Sequence, residues 1–238
     1  MAKATDNSVK AAGIRKSRGA ILLELDNTAV NGRQLIFTVL KRVLEDKDIT
    51  MTPVIFAKHC LQFPVRQYVP TLLHATGKTR LSPEKLTAEI VSAIKSAFLD
   101  KSLSIQPGAL KLLKLAAERG VKVGMISAFD AETARKLVAN LGLGDIGPNL
   151  YPCYFEEKGC PGADAWLMLV RNINVVPSQS VVVATSGITC KCALSAGMRC
   201  IVVPDKYTSF HDFSGADFVH NELNNDTIEA VFALLERH

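Results

Sequence analysis

Apolar positions along the chain follow two rhythms. Residues 21–23, 121–126, 180–183 and 200–203 are short and mostly apolar, the pattern of strands buried on both faces. Elsewhere apolar residues recur at helical spacing, as with Leu35, Ile36, Val39, Leu40 and Val43 in 33–46, and Leu86, Ile90, Ala93, Ile94 and Phe98 after Ser82-Pro83. Further helices are predicted over 54–61, 65–74, 109–119, 131–141, 164–173, 189–196 and 226–235, and a short aromatic stretch, 151–155, is a candidate strand. Thr52-Pro53 and Ser82-Pro83 read as N-cap and first-turn pairs, while Gly120, Gly142, Gly144 and Gly197 stop helices. Strands alternating with helices of about ten residues imply an α/β fold, a doubly wound parallel sheet with right-handed crossovers. Nothing between 34 and 100 reads as a strand. The expected organisation is a tail at 1–18, an α/β core from 19–33 and 101–238, and an all-helical cap at 34–100 inserted after the first strand.

Composition narrows this picture. The 238 residues are 48% hydrophobic and 21% charged, which excludes a disordered chain. No apolar run is long enough to span a membrane, and no signal-peptide core stands near the start, so a soluble, intracellular protein is expected. The six cysteines (60, 153, 160, 190, 192 and 200) read as buried, reduced thiols, since Cys190-Lys191-Cys192 has no partner set for zinc. Much of the net charge of +5 sits in the tail: Lys3, Lys10, Arg15, Lys16 and Arg18 against Asp6. That tail reads as a solvated terminus, an arm for RNA or an acidic partner, or the remnant of a mitochondrial or other organelle-targeting segment. Ala75-Thr76-Gly77-Lys78-Thr79 lacks the upstream glycine and strand of a phosphate-binding loop.

Candidate chemistry gathers at the first strand. It runs into Glu24 and Asp26, which at i and i+2 leave a regular strand on one face, followed by Asn27 and the hydroxyl of Thr28. The carboxyl ends of parallel strands are where open α/β sheets place their sites. Ser127 ends the second strand, Lys158 lies in Lys-Gly-Cys-Pro, and 181–183 run into Ala184-Thr185-Ser186-Gly187 ahead of a helix ending Ala196-Gly197-Met198.

In that order these stations resemble the haloacid-dehalogenase superfamily of phosphohydrolases, in its β-phosphoglucomutase-like, sugar-phosphate phosphatase branch. The resemblance covers the chain from about residue 19 onward. It implies a nucleophile at Glu24, an acid/base at Asp26, phosphate ligands at Thr28, Ser127 and Lys158, and a cap domain over the site. The family has Asp where this chain has Glu24, and it has metal-binding acids where this chain has Ala184 and Thr185. Asp130 and Asp205 are candidate substitutes, although the first reads as a helix cap and the second as a turn residue. Mg²⁺ needs oxygen ligands in octahedral geometry, usually with carboxylates among them, so no metal is expected. The resulting expectation is a catalytically impaired family member serving as a structural or assembly component of a larger complex, a ribonucleoprotein among the candidates. The alternatives are an active, atypical phosphatase or mutase on a small phosphorylated sugar, with Mg²⁺ as cofactor, and a non-catalytic phosphometabolite sensor.

Overall fold

The computed structural model describes residues 19–236, apart from Gln62, Gly159, Cys160 and the side chains of Glu157 and Lys158. The basic tail at 1–18, with its expected RNA, acidic-partner or targeting role, lies outside the described residues.

Six parallel strands form one sheet in the order β3-β2-β1-β4-β5-β6: β1 (Ala20–Glu24), β2 (Lys122–Ser127), β3 (Asn149–Pro152), β4 (Ser180–Ala184), β5 (Arg199–Val202) and β6 (Phe218–Val219). The sheet is the doubly wound α/β architecture expected, with β1 at its centre between β2 and β4. In β1, Ile21 and Leu23 enter one core with Val181 and Val183, whereas Ala20 and Leu22 enter another with Val182 and Ala184. Because both faces are covered, the strands are apolar without alternation. Gly124 in β2 permits close layering: a Cβ there would come within 2.8 Å of Leu22 and 3.0 Å of Leu169.

Among the described residues five α-helices lie between β1 and β2, and the first four are α1 (Gly32–Glu45), α2 (Pro53–His59), α3 (Val65–Ala75) and α4 (Pro83–Phe98). The helix α4 packs on both α1 and α3. Thr52 and Ser82 cap α2 and α4 with their hydroxyls, accepting from the N–H groups of Ile55 and Lys85 at 3.2 and 3.3 Å. The remaining helices are α5 (Pro107–Glu118), α6 (Ala131–Asn140), α7 (Phe155–Lys158), α8 (Ala163–Asn172), α9 (Gly187–Ser195) and α10 (Asn225–Glu236). Trp166 of α8 fills the second core layer.

Two short elements stand outside those predicted from the sequence. One is β6, whose two exposed residues carry no periodic pattern. The other is the short helix at Phe155–Lys158. None of the five described cysteines is in a disulfide.

Candidate active site

Where β1 ends, the backbone leaves the strand. Leu25–Ala29 forms a single π-type turn, with Glu24 at its N-cap. Such turns recur at functional sites. The strand-alternation argument for Glu24 and Asp26 therefore fails, since only Glu24 is in the strand. The turn nevertheless returns both carboxylates to one cavity wall, alongside Asn27 and Arg33. Gly32 makes this geometry possible. A Cβ at that position would lie 1.8 Å from the Asp26 carbonyl oxygen, so only glycine lets the start of α1 approach the turn.

Asp26 is buried, at 5% exposure. Its carboxylate accepts from the Ser127 hydroxyl at 2.9 Å and from the Ala128 N–H, both at the end of β2. Burial, with a smaller push from nearby Glu24, raises its pKa to about 7 despite those two bonds. Glu24 is held differently. The Thr185 hydroxyl donates to its Oε2 at 2.7 Å, and Asn27 Nδ2 donates weakly to Oε1 at 3.4 Å. The same Thr185 oxygen accepts from Arg33 Nη1 at 2.9 Å, and Arg33 Nη1 also donates to Asp205 Oδ2 at 2.9 Å.

Several expectations need correction. Thr28 is not placed as a phosphate ligand: its buried hydroxyl donates to the Val183 carbonyl at 3.1 Å and fastens the turn to β4. The Ser127 hydroxyl is fully buried and engaged with Asp26, so it is not on the cavity wall. Asp130 caps α6, accepting from the Thr133 N–H at 2.9 Å. That bond holds its pKa at about 2, with help from Lys95. Asp205 does reach the site, but as the counter-ion of Arg33 rather than as a substitute metal acid. The side chain of Lys158 lies outside the described residues. Arg33 is the residue the sequence reading missed. Nothing local marks it, because its partners Thr185 and Asp205 are 152 and 172 residues away.

The donor set does not fit Mg²⁺, the cation the resemblance implies. Such a site asks for six oxygens, carboxylates among them, at near-octahedral angles. Glu24 offers one carboxylate, already accepting a bond. Ala184 offers a methyl group, the Thr185 hydroxyl holds a guanidinium, and the Asp26 carbonyl lies against Gly32. Among the described residues, no cluster of three His, Cys, Asp or Glu is placed to hold a metal.

The cavity beyond these groups has a volume of about 250 Å³. Phe56 of α2 and Ile94 and Phe98 of α4 form an apolar wall together with Ala128 and Phe129 after β2, the rings of Phe98 and Phe129 meeting edge to face at 4.8 Å. Two polar atoms of lining residues are buried without a partner, the Tyr68 hydroxyl and His211 Nε2. His211 Nδ1 accepts from the Gly187 N–H at 3.2 Å, which leaves the proton on Nε2 and makes that atom a donor.

An open parallel sheet with an acid pair at the carboxyl end of its central strand defines a Rossmann-type α/β fold with its site where such sheets place one. The chain belongs to the haloacid dehalogenase-like hydrolase family, whose profile matches residues 21–203. It is 32% identical over 125 residues to a CBBY-like protein of Arabidopsis thaliana, a match spanning 50% of this chain and 38% of that protein. The structure of CbbY from Rhodobacter sphaeroides in complex with phosphate superposes at a TM-score of 0.70 with 17% identity, over 86% of this chain and 94% of that one. A β-phosphoglucomutase from Clostridium difficile does so at 0.70 with 15% identity, over 91% and 96%. At such identities the two structures speak for the fold. No described helix is long and apolar enough to cross a membrane.

Proposed function

We propose that the chain is an atypical phosphohydrolase of its family, acting on a small phosphomonoester. The observation that carries this reading is Asp26: a buried carboxyl group beside Glu24 on the cavity wall, with its pKa near 7. An acid of that pKa keeps a substantial protonated fraction near neutral pH and can donate a proton to a leaving oxygen, a contribution of about 10²–10⁴-fold. In this reading the Glu24 carboxylate attacks phosphorus and Asp26 protonates the departing alkoxide. A water then attacks the phosphorus of the glutamyl phosphate, its proton returning to the Asp26 carboxylate while Glu24 and inorganic phosphate are released, and the bonds from Ser127 and Ala128 hold Asp26 in place throughout.

The sugar-phosphate neighbours suggest a sugar phosphate as substrate. The wall of Phe56, Ile94 and Phe98 favours a less hydroxylated one, with Tyr68 and His211 as its polar contacts. The test is phosphate release from p-nitrophenyl phosphate and a panel of sugar phosphates, with Mg²⁺ and with chelator. Turnover lost at least 10²-fold in Asp26→Asn is the expected outcome. Equal rates in wild type and variant would remove the proposal.

One observation favours a second, non-catalytic reading, whether as assembly component or metabolite sensor. Ser127, Ala128 and Thr185, the groups that would meet a phosphate or a metal, are already bonded within the protein. Isolation from the native source distinguishes an assembly component, which arrives in a large complex, from a free protein. A sensor would be stabilised by sugar phosphates without metal.

A further inference from the structure

We propose that the guanidinium of Arg33 is the built-in cation of this site, supplying the positive charge that the resemblance would assign to a divalent metal. The inference concerns the resting protein and holds with or without turnover. It starts from Gly32, whose missing side chain lets the first turn of α1 rest on the Asp26 carbonyl. The next residue, Arg33, is thereby delivered into the site at 8% exposure. Two sides hold it. Asp205 anchors it from the loop after β5 at 2.9 Å, and Thr185 receives it at the end of β4, through the hydroxyl at 2.9 Å and the carbonyl at 3.5 Å.

The bond directions make the arrangement specific. The Thr185 hydroxyl has one proton, which goes to Glu24, so it meets Arg33 as an acceptor. The chain Asp205, Arg33, Thr185, Glu24 is therefore an unbroken series of donors and acceptors between two carboxylates. A carboxylate at position 184 or 185 would be a metal ligand in the resemblance, and a guanidinium bonded to Thr185 leaves no such vacancy. Arginine suits the task because its terminal Nη1 alone carries two protons, one for Asp205 and one for Thr185. Asp205 explains how a nearly buried cation is tolerated, since an unpaired one would be expelled or would destabilise the fold.

The test compares the wild-type full chain with Arg33→Ala and Arg33→Lys. Calorimetric titration of the wild type with millimolar MgCl₂ is expected to give no binding heat, and its melting temperature should ignore both MgCl₂ and EDTA. In Arg33→Ala, Glu24, Asp205 and the Thr185 oxygen face an emptied space. That variant is expected to melt lower and to be raised by several degrees on adding MgCl₂, with EDTA reversing the gain. Arg33→Lys keeps a cation in place and should stay indifferent to Mg²⁺. Magnesium binding by the wild type overturns the proposal, as does a magnesium response in Arg33→Lys. If Arg33→Ala folds and is not stabilised by magnesium, the residue is packing rather than a stand-in cation. If it does not fold, the other two proteins still decide the matter.

Discussion

Asp26 leaves a signature in how stability depends on pH. Its ordinary pKa is 3.8 and its folded value is about 7. Between those limits the folded chain keeps a proton that the unfolded chain has released, so stability falls as pH rises through the window. At ~1.4 kcal/mol per pH unit the whole span is worth roughly 4 kcal/mol. Asp26→Asn stays neutral throughout, so it should gain on wild type steadily from about pH 4 to pH 7, read from urea midpoints. A constant difference would mean that the carboxylate is ionised across the range. Thr185 makes a second case. Thr185→Val keeps the shape but removes the atom that joins Glu24 to Arg33, at an expected cost of about 1–3 kcal/mol. The double variant with Glu24→Gln should cost less than the sum of the two, because both changes break the same bond.

At the scale of elements, most of the fold was legible and most of the site was not. The apolar runs of β1 and β4 announce themselves because both sheet faces are covered, and Thr52-Pro53 and Ser82-Pro83 mark helix starts because capping is local chemistry. Glu24, Asp26 and Ser127 were legible as stations, and the structure does gather them. Their bonding was not legible. A π-type turn has no sequence code that separates it from an ordinary polar turn, and Arg33 gains meaning only from Asp205, across most of the chain. Gly32 joins the two scales. Gly32→Ala would drive a methyl carbon to 1.8 Å from the Asp26 carbonyl oxygen, backbone that cannot swing aside, and to 2.8 Å from the buried Phe98 ring. Overpacking ordinarily costs ~1–3 kcal/mol, and this site should sit at or above the top of that range. The melting temperature of Gly32→Ala checks it, and Gly77→Ala is a useful contrast: that glycine is left-handed at φ +69° but has open space around it, so the only cost there is the backbone strain of a side chain at positive φ.

Across the whole molecule, the inserted helices share a core with the sheet. Phe56, Leu72, Ile90 and Phe98 belong to the same buried cluster as Ile21, Leu23 and Val183. The opposite sheet face has its own cluster, and it holds the chain's single tryptophan, Trp166. A shared core makes unfolding of the insert costly for the sheet, and this arrangement provides a probe to measure it. Ile90 is fully buried in α4, so Ile90→Ala should remove about 2–5 kcal/mol. If insert and sheet unfold as one unit, that loss reaches the far side of the sheet. The Trp166 fluorescence transition and the far-ultraviolet circular dichroism transition should then coincide, and both should move to lower urea by the same amount. A fluorescence midpoint left in place while the dichroism transition broadens would mean that α1–α4 melt on their own. The wall of Phe56, Ile94 and Phe98 would then close over Glu24 and Asp26 only part of the time, and ligand binding would carry the added cost of ordering it.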